Sequence, residues 1–357
     1  MRLTLRKLAA LVVATALVGA APACTSKRKD EGPSGPSGSA NTKIEKPKIA
    51  PLTGMALTDL EAESRAALAI KIDNSVAARP QAGLDGADIV YEELAEGGIT
   101  RFMAVFHSKQ ASDVGPVRSA RMVDPEILAQ YQGLFAFSGG AAPVLEAVAA
   151  APVQDVSFNK VASAYRHAPG RAAPHNLFTR TSLLWDAAKR HNVPDLKLSF
   201  STKPPPVAST TTTTVTGGTP GKPFPPGERV SISFSTSAVS VWKWDAASGN
   251  YLRYHGSTPH TLVGGSQVRA KNVIVQFVQV YAGPIRDVLG NPSPEIRATG
   301  SGEVWVLRDG ILTKGTWSRQ SVSDKTSFRD SSGKTIPLSP GNTWIELAPR
   351  GEPASFS

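Results

Sequence analysis

Six polar residues carry most of the chemistry this sequence can offer: Asp73, Asn74, Arg101, Arg118, Arg121 and His175. Asp73 and Asn74 follow the apolar run 68–72, at the carboxyl end of a predicted strand, where open α/β sheets bind ligands. An Asp-Asn pair there can hold a cation or a sugar hydroxyl, or it can cap the next turn. Arg118 and Arg121 flank Ser119, while Arg79 and Arg101 stand near other strand ends. The planar guanidinium fits carboxylate or phosphate bidentately, so convergence of two or more points to an anionic ligand. Taken singly, each arginine reads as an ion-pair partner for Asp88, Glu92, Glu93 or Glu96. His175, in Ala173-Pro174-His175-Asn176, is a loop histidine suited to general-base or ligand duty, against the commoner hydrogen-bonded structural role.

Several chemistries are excluded. Glu92 and Glu93 are consecutive on a strand and point to opposite faces, so they cannot form a glycosidase-like pair. No phosphate-binding Walker loop and no dinucleotide glycine fingerprint occurs, and no Gly-x-Ser-x-Gly elbow frames Ser138 in Ser138-Gly139-Gly140. One cysteine rules out an internal disulfide, a Cys-based zinc site and an iron–sulfur cluster. No metal and no cofactor is expected. Five of the six tryptophans (242, 244, 305, 317 and 344) fall in the second half. Trp242 and Trp244 share a strand face, which suits either a sugar-stacking platform or core packing.

The elements that must position these residues fall into two groups. Over 51–195, apolar runs at 68–72, 87–94, 101–107 and 134–137 read as strands, and 125–132, 143–151 and 181–190 have helical spacing. This alternation predicts an α/β N-terminal domain, a sheet with flanking helices. Over 196–357 the predicted segments are strands: 230–234, 239–244, 251–255, 272–281, 303–307, 311–317 and 344–347, with 196–200 as a candidate first strand. That pattern predicts a mainly β C-terminal domain, a compact sheet or half-open barrel, interrupted by a Pro/Thr-rich insert at 203–227.

The first fifty residues give an address. Arg2, Arg6 and Lys7 precede an uncharged apolar run of about a dozen residues, too short to span a bilayer, which takes about 20. Residues 1–23 therefore read as a signal peptide, and Cys24, after Ala21-Pro22-Ala23, as the lipid attachment site. Residues 24–50 form a Lys/Pro/Gly/Ser tether whose Lys27-Arg28-Lys29 cluster suits anionic headgroups. Residues 1–50 hold nine Lys/Arg against three acids, more than half of the net +10, so no nucleic-acid partner is expected. The expected location is extracytoplasmic, anchored to the cell membrane as a lipoprotein, with plain secretion as the alternative.

Longer motifs add a resemblance. Ala69-Ile70-Lys71-Ile72-Asp73-Asn74-Ser75, Ala87-Asp88-Ile89-Val90-Tyr91-Glu92-Glu93 and Glu96-Gly97-Gly98-Ile99-Thr100-Arg101 open the series. Val114-Gly115-Pro116-Val117-Arg118-Ser119-Ala120-Arg121, Ala173-Pro174-His175-Asn176-Leu177 and Pro340-Gly341-Asn342-Thr343-Trp344-Ile345-Glu346-Leu347 continue it. Together they resemble the YerB-type lipoprotein family (DUF3048), a bacterial family of unknown function. The resemblance covers nearly everything after residue 51 and implies two domains on a lipoprotein leader. It brings no catalytic residues. The sequence departs from the pattern at Ala21, where the lipobox prefers leucine, and in the 203–227 insert.

These readings together predict a membrane-tethered extracytoplasmic binding or accessory protein of the cell envelope. Its ligand would be anionic or carbohydrate-like, an envelope polymer among the candidates. The alternative is an envelope polymer hydrolase or transferase in which Asp73, Glu92 or His175 does acid–base work. A structural interaction module, with these polar groups scattered and mutually paired, is the third class.

Overall fold

Within a computed structural model, the described residues are 47–205, 227–287 and 289–357. The signal segment, Cys24, nearly all of the tether and residues 206–226 of the insert lie outside them.

The centre of the fold is the strand Leu68–Asp73, buried along its whole length. A strand covered on both faces must be apolar throughout, and LAIKID meets that demand except at Lys71 and Asp73. Thr100–Phe106 runs antiparallel to it and Leu134–Ala136 parallel to it. On the far side of Thr100–Phe106 lies Ile89–Leu94, and next to that Thr343–Pro349, parallel, with Glu92 opposite Glu346. Thr343–Pro349 is also parallel to Asn272–Arg286, which continues into Gly300–Arg308, Ile311–Arg319 and Ser327–Asp330. One eleven-stranded sheet thus runs through both sequence segments, its middle supplied by a strand from near the carboxyl end.

A second, six-stranded sheet holds Arg229–Ser233, Val239–Asp245, Asn250–His255 and Ala354–Phe356 among its strands. Its Val230, Ile232, Trp242 and Tyr251 share one core with Ile72, Phe102 and Phe106 of the large sheet. The opposite face of the large sheet packs a separate core from Ala69, Met103, Val105 and the helices Val123–Leu128 and Ala142–Ala150. A third helix covers Thr181–Asp186.

The class is the expected one, an N-terminal sheet with few helices and a mainly β C-terminal part, although the helices expected at 125–132 and 181–190 are shorter than the spacing predicts. Residues 196–200 differ from expectation. They form no strand; Phe200 makes a single bridge to Leu338, and Lys197 takes φ 56°, which interrupts any extended run. The tryptophans also differ. Trp242, Trp317 and Trp344 are fully buried, and Trp344 packs edge-on against Phe102 and Trp242 at 5.2 Å, so Trp242 belongs to the core and offers no stacking surface.

Candidate functional site

Where the two sheets meet, they leave a cleft of ≈ 720 Å³. One wall comes from the segment after the first strand, with Asn74, Ser75 and Arg79, and from Glu92 and Thr100 on its neighbours. The other wall is the small sheet, with Arg253, His255 and His260. Strand alternation explains the placement. Thr100 lies on the same side as Phe102, and Arg253 on the same side as Tyr251, so polar side chains stand at inward positions that the pattern elsewhere fills with apolar ones.

Arg253 is the hub. It is 1% exposed, and its Nη2 donates to Glu92 Oε2 at 2.6 Å. Its Nη1 donates to His260 Nδ1 at 2.8 Å, which leaves His260 Nε2–H to donate to Gln81 Oε1 at 2.9 Å. A guanidinium only donates, so this contact fixes the His260 tautomer. Burial, followed by the Arg253 charge, pushes the His260 pKa far below its ordinary value, and the same causes push His255 down to about 2. Both rings are uncharged across the physiological range.

Glu92 is held from three sides. Its Oε1 accepts from Thr100 Oγ1 at 2.7 Å and from Asn74 Nδ2 at 3.3 Å, while Arg253 holds Oε2. Gln81 Nε2 donates to Asn74 Oδ1 and to the Asp73 carbonyl, fixing the turn that carries Asn74. Arg79 closes this side through Nη2 to the Asn74 carbonyl at 2.9 Å. Two donors remain unused: Arg79 Nε and Arg253 Nε are buried and have no hydrogen-bond partner among the described residues. Burial and then the Arg253 charge lower the Arg79 pKa, so two cations crowd one water-poor space.

Behind Glu92 lies Glu346. Its Oε1 accepts from Trp242 Nε1 at 2.6 Å and from Ser240 Oγ at 2.9 Å, while Oε2 is buried with no partner among the described residues. Burial and then the Glu92 charge push its pKa well up.

Of the six residues singled out from the sequence, Asn74 lines this cleft. The other five lie on the opposite face of the large sheet or at its edge. Asp73 Oδ2 accepts from His175 Nδ1 at 2.8 Å and from Arg118 Nε at 2.9 Å, and Oδ1 accepts from the Ser75 amide. Burial acts to raise the Asp73 pKa, but the Ser75 amide, the Arg118 charge and the His175 bond outweigh it and hold the carboxylate below its ordinary range. Arg121 bonds Glu96 through Nε at 3.0 Å and through Nη2, and Arg101 approaches the same carboxylate at 3.9 Å. The two groups meet at Ser75, which lines the cleft and whose Oγ lies 3.4 Å from His175 Nδ1. Ser75 and Asp73 both address Nδ1, so the three do not form a Ser-His-Asp relay, which needs opposite ring nitrogens.

Glu93 faces away from Glu92, as strand alternation requires, and joins Lys71 and Asp124 in a fully buried triad. Sequence reasoning passed over Arg253, His255, His260 and the role of Glu346. The available signal was a charge at an inward strand position: Arg253 follows Tyr251 by two, and Glu346 follows Trp344 by two.

Comparison with known proteins gives consistent matches. Residues 52–194 match the model for "Protein of unknown function (DUF3048) N-terminal domain" and residues 230–345 that for the corresponding C-terminal domain. A Bacillus subtilis (strain 168) protein named "Putative lipoprotein YerB" is 30% identical over 315 residues, 86% of this chain and 88% of that one. The crystal structure of the YerB protein from Bacillus subtilis superposes with a TM-score of 0.72 at 25% identity, covering 87% of this chain and 99% of that one.

Proposed function

Since the chain belongs to the DUF3048 family, whose two domains have no assigned function, its role must come from its own residues, and we propose that it is a membrane-tethered extracytoplasmic lipoprotein of the cell envelope that binds an anionic ligand between its two sheets. One observation carries this reading: Arg79 and Arg253 bring two guanidiniums into one cleft, each with a buried Nε lacking a partner among the described residues. A buried donor without an acceptor costs about 1–3 kcal/mol, which an oxyanion removes on binding. His255, held neutral, adds hydrogen-bonding capacity without further charge, while both ring nitrogens of His260 are taken by Arg253 and Gln81. Among the described residues no Trp, Tyr or Phe lines the cleft, so a sugar would be gripped through its charged and hydroxyl groups rather than by stacking. The lipoprotein part rests on Cys24 behind its apolar leader and on the name of the Bacillus subtilis relative.

Calorimetric titration of the full-length protein in detergent with glucuronate and glycerol 3-phosphate, against neutral glucose, tests the reading. Saturable binding of an anion that Arg79→Gln weakens by about tenfold or more supports it; equal behaviour of glucose and the anions sinks it.

A second reading, hydrolysis or transfer on an envelope polymer, draws on Glu92 and Glu346, a carboxylate lining the cleft with a proton-holding carboxyl behind it. An unchanged product profile after incubation with cell-wall polymers removes it.

A further inference from the structure

The face opposite the cleft gathers charges that ligand binding in the cleft does not use. Arg101, Arg118 and Arg121 stand there against Asp73 and Glu96, three guanidiniums against two carboxylates. The neighbouring Lys71 is met by Glu93 and Asp124 and adds no cation to this group. Arg101 is the least satisfied. It is 5% exposed, its Nε has no partner among the described residues, its bond to the Ser119 carbonyl is long at 3.3 Å, and Glu96 is 3.9 Å away. Burial, then the charges of Arg121 and Arg118, push its pKa down to about 10. Like charges crowded away from water raise the free energy of the site, and a bound anion offsets that cost. Arg118 and Arg121 keep 22% and 13% of their side chains exposed, so the group is open to solvent.

His175 decides which anion fits. Its Nδ1 lies 2.8 Å from Asp73 Oδ2, an oxygen of an ionised carboxylate that can only accept, so Nδ1 carries the hydrogen. In the neutral ring this leaves Nε2 with a lone pair, an acceptor. Arg118 Nε bonds the same Asp73 oxygen at 2.9 Å, which places guanidinium and imidazole next to each other.

We propose that Arg101, Arg118, Arg121 and His175 form a second binding site, for a phosphate-type oxyanion that carries a hydroxyl: hydrogen phosphate or the monoanion of a phosphate monoester. The charged oxygens meet the guanidiniums, and the P–OH donates to His175 Nε2. Sulfate has a similar shape but no proton to donate at neutral pH, so the site discriminates against it. The site goes beyond the cleft reading and stands or falls separately.

The test is nuclear magnetic resonance of histidine-labelled full-length protein in detergent, titrated at constant ionic strength with inorganic phosphate, phenyl phosphate and sulfate. Phosphate, the ester or both shift the His175 ring signals saturably, at concentrations about tenfold below those needed for sulfate. Which of the two acts tells a free anion from an ester. Arg118→Gln and Arg121→Gln each weaken the response by about tenfold or more, and His175→Leu removes the preference over sulfate. If one arginine variant fails to fold, the other still reads the site. The signals of His255 and His260 report the cleft, so loss of either reading is seen independently of the other. Unmoved His175 signals in folded protein, or sulfate acting at the same concentration as phosphate, overturn the proposal.

Discussion

Glu92 and Glu346 stand opposite each other on neighbouring parallel strands, and of the two carboxylates Arg253 bonds Glu92. Among the described residues Glu346 receives only the neutral donors Ser240 and Trp242. Two carboxylates this close in a buried site cannot both be ionised cheaply, so the unpaired one keeps its proton.

Glutamine should therefore replace Glu346 far more readily than Glu92. The amide of Glu346→Gln mimics a neutral acid, and a stability change below about 1 kcal/mol is expected. Glu92→Gln leaves the Arg253 charge buried without its anion, at a cost of about 3–5 kcal/mol. Urea unfolding at pH 7 measures both; equal losses would show that Glu346 is ionised.

The same asymmetry fixes a pH dependence. A carboxyl whose folded pKa is raised binds its proton more tightly folded than unfolded, so its contribution is complete below the unfolded pKa, about 4.5, and is lost as pH rises through the folded value. Glu93, raised to about 7 by burial and then by Asp124, acts with the same sign between about 4.5 and 7. Melting temperatures of wild type and Glu346→Gln, taken from pH 5 to 8, should diverge in favour of the variant as pH increases. A constant difference would refute the assignment.

Lys71 bridges Glu93 and Asp124 and offsets their mutual repulsion in a triad with no exposure. Lys71→Met should cost about 3–5 kcal/mol by leaving two buried carboxyls without their cation. Adding Glu93→Gln and Asp124→Asn should recover most of that loss. A triple variant no more stable than the single one, by the same urea measurement, would show that the triad charges are not what matters.

Gly83 precedes Leu84 with φ +81°, and a Cβ there would sit 2.5 Å from the Asp113 carbonyl oxygen. Gly83→Ala combines left-handed strain with a backbone clash and should lower stability by more than about 1–3 kcal/mol. Gly290→Ala, also left-handed at φ +84° but in open space, should lose less. Thermal unfolding of the pair separates strain from clash, and equal shifts would leave the clash without effect.

Cys24→Ser tests the anchor. Membrane fractionation of cells should find wild type in the membrane pellet and the variant in the soluble extracytoplasmic fraction. Variant protein remaining in the pellet would remove the lipid from the account.

Local pattern was enough for part of this. The alternation of Val/Ile/Phe runs with turns identified most strands, because side-chain period and burial are local properties of a strand. Opposite facing of Glu92 and Glu93 followed from that period alone, and Asp73, Arg118 and His175 were recognisable as polar residues at strand ends and in loops. What no local pattern contains is strand order. The strand Thr343–Pro349 lies beside Ile89–Leu94 although about 250 residues separate them, and only that pairing sets Glu346 against Glu92. The packing of the small sheet on the large one brings Arg253 and His260 to Glu92 and Gln81 across the cleft. It also divides Asp73 from Asn74, consecutive in the chain, between two sites on opposite faces of one sheet. The sequence by itself determined which residues could do chemistry and on which side of each strand they stand. Tertiary structure decided which of them meet, because long-range pairing is fixed by the burial of whole faces and not by any short stretch of residues.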